Sequence, residues 1–378
     1  MRRLQVRTRA RPQEYEIQIG TGILSNVGQV TRHRLGEKSR QIAIVSNKKV
    51  FSLYGATVNK SLKASEFAVQ PWLIGDGERY ESVKTVEQLL HFLKENGLER
   101  TDGVVSLGGG VVGDVAGFAA AIYLRGVSFI QVPTTLVAQV DSSVGGKTGA
   151  NFSGGKNLVG SFHQPAAVIA DIETLRTLAP RELTAGWCEC IKQGAVSNRK
   201  LFNETANFLR FSGSKRLSVS SRMEKLIVAH CAFKSSIVRG DEREDSSRSD
   251  RRSRRILNFG HTMAHALESV TNYRRFRHGE AVGWGMLVAG KLSRNLGLLH
   301  ETELELLYET VSLCGPLPAA KDLDERALIN AIGQDKKRTA GNVQWVLLER
   351  IGTPRIVDGK EISPALLRES MRAAFQRR

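Results

Sequence analysis

His261 and His265 stand four residues apart in "LNFGHTMAHALE", and a third histidine, His278, follows in "RHGEAVGWG". Four apart is about one helical turn, so the first pair shares a face and has a metal-binding spacing. No glutamate follows His261 as in H-E-x-x-H, so a metalloprotease would lack its general base. His278 lies past the turn-like "TNYRRFR" and can return to the same pocket. Spacing proposes the first pair as ligands and leaves open which histidine holds a metal and which moves protons; a buried, hydrogen-bonded imidazole is the alternative for each. "AGWCECIKQG" adds Glu189 and Lys192, three apart and able to face one cleft, a carboxylate for a metal and an ammonium for an anion. Alone, such a pair is more often a surface ion pair; three histidines in the same chain favour a site. Cys188 and Cys190 are two apart, diverge on a helix, and read as small buried hydrophobes.

Two glycine-rich stretches add anion chemistry. "LGGGVVGD" sets Gly108, Gly110 and Gly113 in G-x-G-x-x-G order between a strand-like run and the helical "VAGFAAAIY", which suits a pyrophosphate seated on N–H groups at a helix start. The acidic residue that a dinucleotide fingerprint places ~20 positions on is missing, because that neighbourhood reads "IQVPTT". A nucleotide held in another manner is expected, with tight helix–strand packing as the plain alternative. "DSSVGGKTGANFSGGKN" carries Asp141, Lys147, Lys156 and Asn157. It lacks the first glycine of a P-loop and is no NTPase loop; its two lysines, on flexible backbone, are expected to reach one phosphate.

Elements of two kinds must position these residues. In the first 170 or so residues, "QIAIVSN", "TDGVVSLGGG" and "GVSFIQVPTT" end as strands that hand over to loops, and "ESVKTVEQLLHFLKENGL" is an amphipathic helix with Val86, Leu89, Leu90 and Leu93 on one face and Gly97 as its stop. That alternation predicts a parallel α/β sheet. Beyond about residue 173, "ETLRTLAPRELTAGWCECIKQGAV", "MEKLIVAHCAFKSSIV" and "HTMAHALESV" follow as helices, so the carboxy-terminal domain is expected to be all-α. The division expected is 1–172 and 173–378, with the site in the cleft between the domains.

A chain of 378 residues with 41% hydrophobic and 25% charged residues is an ordinary globular protein of two domains. Its four cysteines are too scattered for a disulfide framework. The amino terminus has no apolar signal region; Leu4 and Val6, then Tyr15, Ile17 and Ile19, alternate as two strands of a hairpin rather than forming a transit peptide, which points to the cytoplasm. No apolar run is long enough to cross a bilayer. The formal net charge of +17 invites a polyanion, but aromatic residues are only 6% and no recognition motif interleaves with the arginines of "SSRSDRRSRR", so no specific nucleic-acid partner is expected.

Seven motifs in order, "GGGVVGDVAGF", "YLRGVSFIQVPTTLVAQVDSSVGGKTG", "GGKNLVGSFHQP", "RELTAGWCECIKQGA", "DERE", "LNFGHTMAHALE" and "RHGEAVGWGM", resemble those of the 3-dehydroquinate synthases within the sugar-phosphate cyclases. The resemblance runs over most of the chain. It implies an NAD-binding α/β domain, a helical domain, a divalent metal (zinc, with cobalt as an alternative) between them, and a homodimer. It also implies the reaction: 3-deoxy-D-arabino-heptulosonate 7-phosphate is transiently oxidised by NAD, loses phosphate, is reduced again and closes to 3-dehydroquinate on the shikimate route. NAD is then a bound catalyst rather than a consumed reagent.

By that resemblance the metal ligands are Glu189, His261 and His278, while His265 handles a proton near the leaving phosphate, with Lys192, Asn258, Glu244 and Asp141 as further catalytic groups. Substrate would meet Arg125, Lys147, Asn157, Lys234, Arg254 (or its neighbour Arg255), Lys336 and Lys337. NAD would meet Asp76, Gly77, Glu78, Arg79, Tyr80 and Glu81; Gly110, Val111, Val112, Gly113 and Asp114; Thr134, Thr135, Lys147 and Lys156; and Thr174, Leu175, Arg176 and Thr177. The chain departs from the family pattern at Glu81, where lysine is usual, at Cys188 and Gln193 beside the first ligand, and in the "DSSRSDRRS" insert before Arg254. Two other readings share part of this logic: a sister cyclase acting on a carboxylate-free sugar phosphate, and an NAD- and metal-dependent polyol dehydrogenase.

Overall fold

The computed structural model describes residues 14–153, 155–212, 221–245, 247–338 and 343–376, without the side chains of 212 and 335–338. Its strands are β1 (Glu16–Gly20), β2 (Gln41–Asn47), β3 (Ala68–Ile74), β4 (Gly103–Gly108), β5 (Ser128–Pro133), β6 (Lys147–Phe152), β7 (Gly155–Phe162), β8 (Ala167–Asp171), β9 (Gln344–Arg350) and β10 (Thr353–Asp358). Six of them form one sheet in the order β1-β8-β5-β4-β2-β3, and every pairing in it is parallel. Parallel sheets are covered on both faces, and β4 and β8 are accordingly buried at every position. The alternation within β2 shows the two faces. Ile42 and Ile44 pack with Val27, Val58 and Leu62 on one side, whereas Ala43 and Val45 pack with Val86, Leu89 and Val115 on the other.

The first of these layers is built by helices α1 (Val27–Leu35) and α2 (Ala56–Ala64), the second by α3 (Val83–Glu95) and α4 (Gly110–Ile122). Ser82 caps α3 by accepting from Thr85 N, and Gly97, at φ 67°, ends it as expected. The expected amino-terminal hairpin takes another form. β1 pairs parallel with β8, and the Asp171 carboxylate at the end of β8 accepts from Gly22 N (3.0 Å) and Leu24 N (3.1 Å), which fixes the turn after β1 on that edge; Leu4 and Val6 lie outside the described residues.

Beyond β8 the chain is mainly helical, with α5 (Pro180–Ser197), α6 (Arg199–Ser212), α7 (Ser221–Gly240), α8 (His261–Val270), α9 (His278–Asn295), α10 (Glu301–Leu313), α11 (Glu325–Arg338) and α12 (Pro364–Gln376). A single core joins these helices, and it reaches back to take in Leu136, Val140 and Val144 from the first half. The helical half also carries one antiparallel hairpin, β9 with β10, whose Trp345, Val346, Leu347 and Leu348 are buried in that core. Among the described residues no helix is long and apolar enough to cross a membrane.

Candidate active site in the cleft

The chain runs from β2 outward to β3 and then crosses to β4 on the other side of β2. Such a reversal leaves a crevice beyond the strand ends, the usual ligand position in open α/β sheets. A cleft of about 710 Å³ opens there, lined by Asn47 at the end of β2, by Gly109, Gly110, Val111, Val112 and Asp114 at the start of α4, and by Thr134 and Thr135 after β5. The glycines permit the tight entry to α4, since a Cβ at Gly108 would stand 2.6 Å from Val112 and one at Gly109 2.9 Å from Thr135. The free N–H groups of the first turn suit a pyrophosphate.

Of the residues expected at the nucleotide, Asp76, Gly77, Glu78, Glu81, Lys147, Lys156 and Thr177 also line this cleft. The others do not. Tyr80 covers Gly75 and carries Arg79 over its ring at 4.8 Å, Gly113 faces Gln131 of the sheet, Thr174 donates to Asp171 O (2.7 Å), Leu175 is in the core and Arg176 pairs with Glu173. Glu81 is only 5% exposed, and burial, with Asp114 and Glu78 nearby, pushes its carboxyl well above the usual range. Burial likewise pushes Asp114 up to about 7, against the pull of Lys234.

At the other end of the cleft three helices meet at very short backbone distances. A Cβ at Gly279 would lie 2.0 Å from Ala185 O, and one at Gly285 1.9 Å from Gly260 O, so only glycine lets α9 pack this closely on α5 and on the start of α8. Arg181 locks the same junction with two bonds to the buried Glu280, at 2.8 and 2.6 Å. Glu189, His261 and His278 consequently present ligand atoms that all lie within 4.8 Å of one another.

The donor set fits a divalent ion. Glu189 is fully buried, with Lys192 Nζ 2.6 Å from Oε2, and its Oε1 has no hydrogen-bond donor; a buried carboxylate oxygen left without a partner is costly unless an ion takes it up. His278 Nδ1 is 3.2 Å from Glu268 Oε1 and His261 Nδ1 is 3.4 Å from Phe259 O, which leaves Nε2 of each ring as the free ligand atom. Burial and then Lys192 hold the His261 imidazole neutral, well below its ordinary value. The His265 ring lies 5.7 Å from His261 and 6.3 Å from His278, beside the cluster and in the cleft wall.

Between the two ends runs a strip of alternating charge. Lys192 Nζ is 3.4 Å from Asp141 Oδ2, and Lys234 binds the other Asp141 oxygen and its carbonyl. Burial opposes the Asp141 charge, yet these two lysines hold its carboxyl far below the usual range. Arg254 is 3% exposed, lines the cleft and donates to Gly145 O (3.0 Å) and Glu242 O (2.7 Å), whereas Arg255 does not line it. Glu244, with φ 55°, accepts from Asn258 (3.0 Å) and from Lys147.

Several sequence expectations need correction here. The segment with Lys147 and Lys156 is the β6–β7 hairpin, not a flexible loop, and the two lysines stand at its opposite ends, so they form no joint clamp: Lys147 pairs with Glu244, Lys156 with Glu78 and Glu268. Arg125 is exposed beyond α4 and does not reach the cleft of its own chain, while Asn157 does. Lys336 and Lys337 lie in the last turn of α11, and their side chains fall outside the described part of the structure. Glu268 was missed, although it stands three residues after His265 on the same helix face; Tyr54, Glu182 and Arg277 of the cleft wall gave no signal. Gln193, an unusual residue beside the first ligand, donates to Val140 O (2.9 Å) and contacts His230 Nδ1 (3.1 Å) behind the site.

The family model of the 3-dehydroquinate synthase N-terminal domain matches residues 71–185, and that of the C-terminal domain matches 186–338. The 3-dehydroquinate synthase of Cyanothece sp. is 41% identical over 348 residues, 92% of each chain. The chain belongs to the 3-dehydroquinate synthase family. Among solved structures, 2-epi-5-epi-valiolone synthase from Streptomyces hygroscopicus subsp. jinggangensis, with NAD+ and Zn2+ bound, shares the fold at a TM-score of 0.88 and 23% identity, covering 99% of this chain and 100% of that one. A 2-deoxy-scyllo-inosose synthase complexed with carbaglucose-6-phosphate, NAD+ and Co2+ matches at a TM-score of 0.80 and 25% identity, covering 94% and 96%.

Proposed function

We infer that the chain converts 3-deoxy-D-arabino-heptulosonate 7-phosphate to 3-dehydroquinate and phosphate on the shikimate route to aromatic amino acids. The observation that carries this is the convergence of one buried carboxylate and two imidazoles within 4.8 Å at the end of a cleft that starts at the sheet's reversal. Residues 1–172 are the NAD-binding part and 173–378 the metal- and substrate-binding part of this reading. Glu189, His261 and His278 would hold a divalent ion, zinc or cobalt, and the start of α4 would seat NAD. Bound together, these groups supply a polarised hydroxyl oxygen and a reversible hydride acceptor.

The chain's own side chains do the rest. Lys192, Lys234 and Arg254 present three cations to the substrate carboxylate and hydroxyls, with Asp141 keeping two of them in place. Lys147, Asn157 and Asn258 orient the phosphate and ring oxygens, and Glu244 holds the first and third of these. His265 exchanges a proton near the leaving phosphate. A homodimer in the cytoplasm is part of the proposal. Supporting it, Ile122 and Leu124 at the end of α4 and Leu158 and Phe162 on the neighbouring hairpin are all at least 42% exposed, and Arg125 stands in the same stretch of chain as the first two.

The test compares three substrates with purified protein. Phosphate release from the heptulosonate, abolished by chelation, is expected; activity only on glucose 6-phosphate or heptulose 7-phosphate would favour a sister cyclase, and steady NADH formation from a polyol would favour a dehydrogenase.

A further inference from the structure

Lys156 lies on β7, far in sequence from the metal cluster, yet it is 82% buried and spans both ends of the cleft. Its Nζ is 2.8 Å from Glu78 Oε1, in the loop that lines the nucleotide end, and 2.9 Å from Glu268 Oε1 on α8. That same Glu268 oxygen is 3.2 Å from His278 Nδ1, and His278 Nε2 points to Glu189 Oε1 at 3.6 Å. A continuous chain of charged contacts therefore leads from the nucleotide loop to a metal-ligating imidazole.

We propose that Lys156 is a positioning residue which, through Glu78 on one side and Glu268 on the other, couples nucleotide binding to metal binding. The inference rests on the functional reading above. Glu268 accepts the Nδ1 proton of His278 and so directs Nε2 to the ion. Fixing Glu268 requires Lys156 in one rotamer, and a long lysine side chain loses much rotamer freedom when it is held. A nucleotide that settles the Glu78 loop holds Lys156 at the same time. The ordering is then met once for both ligands, which is positive coupling without any large movement, and linkage makes it reciprocal.

The experiment titrates Co2+ into chelator-stripped protein with and without saturating NAD, reading the visible absorption of the bound ion. In the wild type NAD is expected to tighten Co2+ binding by roughly fivefold or more, within the range common for coupled sites. Lys156→Met should bring that ratio to near one while the spectrum of the NAD-free Co2+ complex stays unchanged; Lys156→Arg, which can still span two carboxylates, should restore most of it. Glu78→Gln, at the more exposed end, should reduce the ratio as well and guards against a Lys156→Met protein that does not fold. An unchanged ratio in Lys156→Met or Glu78→Gln overturns the proposal, as does a wild type in which the two ligands bind independently. A lysine that only touches the nucleotide would weaken NAD equally with and without metal, which also overturns it. A wild type that binds neither NAD nor Co2+ overturns the functional reading itself, and the same titrations reveal that outcome separately.

Discussion

The two ends of the cleft treat buried charge in opposite ways. At the metal end each buried carboxylate faces a cation: Asp141 has Lys192 and Lys234, Glu268 has Lys156 and His278, and Glu189 has Lys192 with two imidazoles beside it. At the nucleotide end neither Glu81 nor Asp114 has a cation of its own: the lysines that draw on them, Lys156 for Glu81 and Lys234 with Lys156 for Asp114, are already paired with Glu78 and Glu268 and with Asp141. The paired lysines hold Asp141, and His278 and Lys156 hold Glu268, well below the usual carboxylate range, whereas buried acids without such a partner take up protons more readily. Asp141 and Glu268 therefore give the metal end a fixed negative template, whereas Glu81 and Asp114 at the nucleotide end are held towards their protonated forms.

Breaking the template should have the largest effect. His278→Ala is expected to lose metal, measured by elemental analysis, and with it activity by on the order of 10³-fold or more, since polarisation by a metal contributes several kcal/mol. His265→Ala should keep its metal and lose rate by about 10² to 10⁴-fold, the usual range for a proton-transfer group. If His265→Ala emptied the site and His278→Ala did not, the ligand assignment would be reversed.

The titrating end gives a smaller, pH-dependent effect. Asp114 has its proton affinity raised to about 7 by burial. Below that pH it is neutral, and above it a negative charge stands in the part of the cleft where the proposed function seats the anionic pyrophosphate. NAD affinity, followed by protein fluorescence, is expected to fall as pH rises through 7, by at most about tenfold per pH unit for one proton; Asp114→Asn should flatten the profile. The raised value also means that folding of the nucleotide-free wild type loses this contribution as pH climbs from the ordinary carboxylate range towards 7, and the asparagine variant should not. A wild-type affinity that is flat from pH 6 to 8 would place no titrating group at this end.

The smallest effect at neutral pH comes from a neutral buried group behind the template. His230 is fully buried between Thr205 and Gln193, and burial lowers it to about 3. Its neutral form is favoured in the folded state, so stability is intact above the ordinary histidine value and falls as pH drops from there towards 3. His230→Gln should cost about 1–2 kcal/mol in urea unfolding at neutral pH and lose most of that acid slope.

What could be read in the sequence follows from how local the determinants are. The strands at 41–47, 103–108 and 128–133 carry their burial in their own apolar runs, and the helix at 261–270 shows its face in the spacing of His261 and His265. Spacing alone nevertheless paired those two histidines; family resemblance was needed to pair His261 with His278, and the physical reason lies in close contacts that Gly260, Gly279 and Gly285 make with backbone far off in sequence, which let three helices approach. Lys156 illustrates the limit from the other side. Its closeness to Lys147 in sequence suggested a shared phosphate, but the hairpin register sends the two lysines to different carboxylates.

The central claim is tested most directly by many turnovers on substoichiometric NAD. With the heptulosonate substrate in large excess over NAD, the zinc-loaded protein should release one phosphate for every 3-dehydroquinate formed, with no NADH accumulating. Phosphate release that stops after one equivalent of NAD, with NADH rising in step, would contradict a closed hydride cycle and the function inferred from this cleft.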